Sequence, residues 1–143
     1  MVNFTPSRLN QEAALIKEPK RLAYIEDELE MIDLVRLILG RHGYTVLGAN
    51  GGREGLELVR KEIPDLVLLD LMMPDMDGWD VYHQIKSDEH TRDIPVIVIT
   101  AHIQKAIRQR CLDLGAAAFI NKPPNEDELT YAVRKVLGVN KKL

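Results

Sequence analysis

Five short apolar runs, each stopped by polar or turn-forming residues, alternate along this chain with stretches in which apolar side chains recur every third or fourth position. The runs Leu22-Ala-Tyr-Ile25, Tyr44-Thr-Val-Leu47, Leu66-Val-Leu-Leu69, Val96-Ile-Val-Ile99 and Ala118-Phe-Ile120 have the length and β-branched content of strands. They predict strands over 22–26, 44–47, 66–70, 95–100 and 118–121. Between them the period lengthens to that of a helix. Met31, Ile32, Val35, Ile38 and Leu39 predict a helix over 28–41 ended by Gly43; Leu56, Val59 and Ile63 predict one from Gly51-Gly52 to about Glu62, closed by Pro64. Trp79, Tyr82 and Ile85 mark a third helix over 79–87. Ile103, Ile107, Cys111 and Leu114 mark a fourth over 103–114 with Gly115 as its cap, and Leu129, Val133, Val136 and Leu137 a fifth over 125–137.

Five strand–helix units in succession imply an α/β fold, a parallel sheet with helices on both faces, because each crossover is right-handed. The third and fourth runs are apolar without alternation and belong in the centre, covered on both sides. The second is the weakest and suits an edge. The flavodoxin-like doubly wound order 2-1-3-4-5 satisfies these constraints and makes strands one and three neighbours at the switch point. Ligands in such sheets bind at the carboxyl ends of the strands. Four of those ends carry Glu26-Asp27, Asp70, Thr100 and Lys122.

Composition narrows the class. A chain of 143 residues with 45% hydrophobic and 29% charged residues is one soluble globular domain. No apolar run approaches the ~20 residues that span a bilayer, and the first residues, Met1-Val-Asn-Phe-Thr-Pro6, lack the pattern of a signal peptide. The single cysteine, Cys111, allows no intrachain disulfide, which suits a reducing cytoplasm, and reads as a small core residue rather than a nucleophile. Acidic residues dominate positions 1–90 (net −7) and basic ones positions 91–143 (net +4), yet no Lys/Arg stripe with interleaved aromatics is present. Neither nucleic acid nor membrane is an expected partner.

Three carboxylates brought together repel one another and call for a cation. Oxygen-only donors suit Mg²⁺, and with no His or Cys in the set zinc is disfavoured. A cation and an ammonium around one carboxylate are what phosphoryl transfer to that carboxylate requires. Lys122 supplies the ammonium, and Thr100 a hydroxyl for another phosphoryl oxygen.

With these residues in view, the chain resembles the receiver domain of two-component response regulators from about Arg21 to Gly138. Four segments carry the likeness: Ile25-Glu-Asp-Glu28, Leu68-Leu-Asp-Leu-Met-Met-Pro-Asp-Met-Asp-Gly78, Ile97-Val-Ile-Thr-Ala101 and Gly115-Ala-Ala-Ala-Phe-Ile-Asn-Lys-Pro123. The resemblance implies that Asp70 accepts phosphate from a sensor histidine kinase or a histidine phosphotransfer protein. It also implies that Glu26, Asp27, Asp70 and the backbone carbonyl of Met72 hold Mg²⁺, that Thr100 and Lys122 contact the phosphoryl group, that Thr100 and Phe119 form the switch, and that the Lys122-Pro123 peptide is cis. Two positions depart from the commoner pattern: Glu26 replaces an Asp, and Phe119 a frequent Tyr. The expected role is a signalling protein rather than an enzyme acting on a separate substrate, placed in the cytoplasm. Its output would be a face of the fourth helix, fifth strand and fifth helix bearing Lys105, Arg108, Arg134 and Lys135. That face would serve a downstream protein, phosphate relay or phosphorylation-dependent dimerisation.

Residues 1–20 form an N-terminal extension, read as flexible, with docking of Ala13-Ala-Leu-Ile16 as the alternative; residues 139–143 form a short tail, too short for an output domain. Asp75 and Asp77 read as turn formers beside Gly78, and the Gly48–Gly55 segment as a turn and helix start, since it lacks the Lys-Ser/Thr ending of a phosphate loop. His42, His83, His90 and His102 are scattered and read as exposed, His102 near the site. Two other functions compete. An Asp-nucleophile phosphatase would place its nucleophile after strand one in an Asp-x-Asp pattern, which Glu26-Asp27 does not supply. A degenerate receiver would lack one of Asp70, Thr100 and Lys122.

Overall fold

The computed structural model describes residues 18–101 and 104–138. The sequence-predicted features at Ala13–Ile16, His102, Ile103 and 139–143 lie outside the described residues. Within them the chain alternates β1 (Arg21–Ile25), α1 (Leu29–Gly40), β2 (Thr45–Ala49), α2 (Gly52–Glu62), β3 (Leu66–Leu69), α3 (Gly78–Ser87), β4 (Val96–Thr100), α4 (Lys105–Asp113), β5 (Ala118–Asn121) and α5 (Glu126–Leu137). All pairings are parallel and the sheet order is β2-β1-β3-β4-β5, the predicted flavodoxin-like order.

The two-residue period of the strands sorts the core into two layers. Leu22, Tyr24, Leu66, Leu68, Ile97, Ile99 and Ile120 pack under Ile32, Val35 and Leu39 of α1 and Leu129 and Val133 of α5. On the other face Ala23, Ile25, Val67, Leu69 and Val96 pack under Leu56 and Val59 of α2 and Val81, Tyr82 and Ile85 of α3. Val98, Leu71 and Cys111 meet beneath α4. β3 is buried at every position, as its unbroken apolar run requires; each such Leu contributes about 2 kcal/mol of burial.

Helix ends follow local chemistry. Asn125 caps α5 by accepting from the Glu128 N–H, and Glu126, Asp127 and Glu128 sit at the positive end of its dipole with Arg134 and Lys135 at the other. Asp77 caps α3 by accepting from the Trp79 N–H at 2.9 Å. α2 has no side-chain cap of its own. Its Gly52 and Arg53 N–H groups donate to Asp75, at 3.0 and 3.2 Å, from the loop after β3. Asp75 is thus more than a turn former, since it ties the β3–α3 loop to α2.

Four expectations are corrected. Ile63 points outward: it follows the last residue of α2 with φ of 43°, because the residue before Pro64 is barred from continuing the helix. Leu114 is half exposed; α4 has Cys111 as its one buried residue, and α3 reaches the turn through the Tyr82 hydroxyl, which donates to the Leu114 carbonyl at 2.7 Å. β2 starts at Thr45 and runs on through Gly48 and Ala49, held by pairing with Tyr24 and Ile25. Trp79 is only half buried, its ring lying 4.1 Å from the Arg110 guanidinium, while Val81 takes the core position.

Candidate functional site

Strand register builds the site. Ile25 lies beside Leu69, so the residues that follow, Glu26 and Asp70, leave the sheet side by side, and the Asp70 N–H donates to the Ile25 carbonyl at 3.1 Å. β4 and β5 pair Thr100 with Asn121, which delivers Lys122 to the same edge. The four strand ends named from the sequence therefore converge.

Glu26 is wholly buried and Asp70 is 2% exposed, costly places for charge without partners. Lys122 supplies the countercharge: its Nζ lies 2.8 Å from Glu26 Oε1, 3.1 Å from Asp70 Oδ2 and 3.3 Å from Glu28 Oε1. Backbone and hydroxyl donors do the rest. Glu26 Oε1 also accepts from the Tyr24 hydroxyl at 3.0 Å, Oε2 from the Glu28 N–H at 3.0 Å, and Asp70 Oδ1 from the Met72 N–H at 3.2 Å. Burial holds the Glu26 carboxyl above its ordinary value despite Lys122. Burial works against the Lys122 charge, but its hydrogen bonds and the charges of Glu26 and Asp70 outweigh that, and its pKa is raised. The Tyr24 phenol is also pushed up, by burial and then by Glu26.

Glu26, Asp27 and Asp70 each offer a carboxylate oxygen within 4.8 Å of the others. Octahedral Mg²⁺ bonds of 2.0–2.1 Å place ligand oxygens about 3–4 Å apart, so this hard-oxygen set fits the ion after small side-chain adjustment. One ammonium against three carboxylates leaves excess negative charge for it. Asp27, half buried, is steadied from behind where Asn50 Nδ2 donates to its backbone carbonyl at 3.0 Å. The Thr100 hydroxyl is buried without a hydrogen-bond partner among the described residues. It lines a cleft of about 450 Å³ whose walls include Leu71, Met73, Trp79 and Ile107.

Phe119 sits opposite Val98 in register, on the face of β5 that packs with Leu71, Ile107 and Cys111. Thr100, two residues beyond Val98, shares that face. The Lys122-Pro123 peptide is cis. Met72 is exposed on the loop after Asp70. Of the four basic residues expected on the output face, Lys105, Arg108 and Lys135 are exposed. Arg134 instead packs against His42 at the end of α1, 3.5 Å away, beside the Glu126 pairs with Arg41 and His42. His42, His83 and His90 are exposed. Sequence reasoning missed Tyr24. The signal for Tyr24 was available: two residues before Glu26 on a strand is the same face.

Comparison with known proteins agrees with this architecture. The model of the response regulator receiver domain matches residues 22–134. A polar-differentiation response regulator, DivK of Brucella anthropi, is 32% identical over 84% of this chain and 98% of its own length. A probable transcriptional regulator, ycf27 of Guillardia theta, is 35% identical over 85% of this chain, which spans 47% of that relative. The crystal structure of the receiver domain of a DNA-binding response regulator from Colwellia psychrerythraea superposes with a TM-score of 0.77 at 30% identity, covering 83% of this chain and 98% of that one. No helix among the described residues is long and apolar enough to cross a membrane. With most of its length inside that match and its strand ends carrying that site, the chain belongs to the response regulator receiver domain family.

Proposed function

We propose that Asp70 is the phospho-acceptor of a Mg²⁺-dependent signalling switch, charged by a sensor histidine kinase or a histidine phosphotransfer protein. One observation carries this reading. Asp70 ends a fully buried central strand, shares Lys122 with Glu26, and lies within 4.8 Å of two further carboxylates. In the transfer, an Asp70 carboxylate oxygen bonds to phosphorus while the donor's P–N bond breaks, its electron pair returning to the imidazole. Glu26, Asp27, Asp70 and the Met72 carbonyl would hold the cation, which when bound offsets phosphoryl charge. Lys122 stays protonated and orients Asp70, ready to follow the phosphoryl oxygens.

Thr100 couples the event to the surface. Its buried hydroxyl, without a partner among the described residues, gains one in a phosphoryl oxygen, and the differential contact drives the shift. Movement of Thr100 opens room next to the cleft it lines, and Phe119 is the aromatic ring on the same face. α4, with Cys111 as its one buried residue and Ile107 packed beside it, is the helix with least to lose by moving. The output surface is α4, β5 and α5, with Lys105, Arg108 and Lys135 exposed for a protein partner, phosphate relay or self-association. Beyond forming and hydrolysing its own acyl phosphate, no turnover of a separate substrate is assigned. The test is intact mass after incubation with acetyl phosphate. Wild type gains one phosphoryl group with Mg²⁺ and none with EDTA, and Asp70→Asn gains none. A Mg²⁺-independent adduct, or one that persists in Asp70→Asn, overturns the assignment.

A further inference from the structure

The extra methylene of Glu26 has a visible use. It carries Oε1 to 2.8 Å from Lys122, closer than Lys122 stands to Asp70, and to 3.0 Å from a tyrosine hydroxyl that is itself wholly buried. A buried phenol needs an acceptor, and Tyr24 has this carboxylate. With the Glu28 N–H on Oε2, Glu26 is held by three donors and has no exposed surface. Asp27, by contrast, is half buried and no side-chain donor engages its carboxylate among the described residues. The three acids are therefore unequal: Glu26 takes three donors, Asp70 takes two, from Lys122 and the Met72 N–H, and the Asp27 carboxylate takes none among the described residues.

We propose that Tyr24 is a positioning residue of this site, whose hydroxyl fixes Glu26 Oε1 on Lys122. Glu26 then serves first as the counter-ion that places Lys122 beside Asp70, and of the three acids it is the one most held back from the cation. The inference rests on the reading of this cluster as a Mg²⁺ site. Tyr24→Phe keeps the ring and its packing but releases one of the two donors on Oε1. Freed in part, Glu26 turns toward the cation and Mg²⁺ affinity rises. The loss of one hydrogen bond to a charged group corresponds to about tenfold to a hundredfold in Kd.

The experiment is a Mg²⁺ titration at pH 8, read by fluorescence of Trp79, the single tryptophan of the chain, and independently by the Mg²⁺-dependent rise in Tm. Wild type, Tyr24→Phe, Glu26→Asp, the double variant and Asp27→Ala are compared. The expected result is tighter binding in Tyr24→Phe and in Glu26→Asp. No further change is expected in the double variant, since Tyr24 acts only through the longer Glu26 side chain. A role confined to packing would lower Tm without changing Kd, and would overturn the proposal. Equal effects of Tyr24→Phe in both backgrounds, or weaker Mg²⁺ binding in Tyr24→Phe, would overturn it too. If Asp27→Ala loses affinity while Tyr24→Phe matches wild type, the Tyr24 proposal alone falls. If Asp27→Ala binds Mg²⁺ as wild type does, the metal-site reading itself falls.

Discussion

Replacing Lys122 by Met is the perturbation whose cost follows most directly from the structure. Methionine keeps most of the stem and its packing, so what is lost is the ammonium. The Lys122 side chain is 9% exposed and its two main partners are at 0% and 2%. Removing one partner of such a buried cluster costs about 3–5 kcal/mol, because the remaining charges stay desolvated. Tyr24, Glu28 N–H and Met72 N–H still donate to the carboxylates, which places the effect at the lower end, near 3 kcal/mol. For a domain of this size that is a fall in Tm of about 12 °C.

The pH dependence has a definite sign. The Glu26 carboxyl already lies above its ordinary 4.5 because of burial, and loss of Lys122 raises it further. A raised carboxyl contributes stability that is complete below its unfolded value and lost as pH rises through its folded one. The deficit of Lys122→Met is therefore largest at pH 7 and above, and shrinks as pH falls toward 4.5. Millimolar Mg²⁺ supplies positive charge to the same carboxylates and should raise the Tm of the variant more than that of wild type. The assay is calorimetric melting at pH 5 and 7.5, with EDTA or with Mg²⁺. A variant melting within 2 °C (roughly 0.5 kcal/mol) of wild type at pH 7.5 in EDTA would refute the electrostatic account of the site.

Three further outcomes are expected. Thr100→Ala should still accept phosphate but lose its consequence: hydrogen exchange across residues 104–125 should change with beryllofluoride, a phosphoryl mimic, in wild type and not in the variant, and equal changes in both would route the signal elsewhere. Asp75→Ala removes the cap of α2 and should cost about 1 kcal/mol. The two N–H bonds hold the Asp75 carboxyl below its ordinary 3.8, so its contribution is complete above that value and the gap to wild type should close as pH falls below it, a trend read by urea melts at pH 2.5–7. Gly78→Ala would set a Cβ 2.6 Å from the Asp70 carbonyl oxygen and still nearer the Leu71 Cα. Because backbone cannot swing aside as a side chain does, the variant should lose about 2 kcal/mol and phosphorylate more slowly, and wild-type stability would contradict the close approach.

The fold was legible because its central strands are unmistakable. Leu66–Leu69 and Val96–Ile99 are apolar at every position, which only a sheet covered on both faces demands, and the polar residues that end them mark the ligand edge. What escaped the sequence lay where a local pattern outran its element. Ile63 keeps the apolar period of α2 but falls beyond its end, since Pro64 forbids one more helical residue. Leu114 keeps the period of α4, yet the helix buries only Cys111 and the Tyr82 contact there is to backbone. Arg134 reads as a free surface cation until α1 brings His42 to it. The carboxylates, Thr100 and Lys122 were found because their residue types are out of place at the ends of apolar strands. Tyr24 was missed for the converse reason: an aromatic in a strand reads as core, and only the approach of its hydroxyl to Glu26 gives it another role.

The central claim is that Asp70 alone accepts phosphate. Borohydride reduction of the protein after treatment with acetyl phosphate and Mg²⁺ converts an aspartyl phosphate to homoserine with release of phosphate, and tandem mass spectrometry of the peptides locates the change. The account predicts homoserine at position 70 and nowhere else. Conversion at Glu26 or Asp27, or an unmodified Asp70 in protein whose intact mass shows the phosphoryl group, would contradict it.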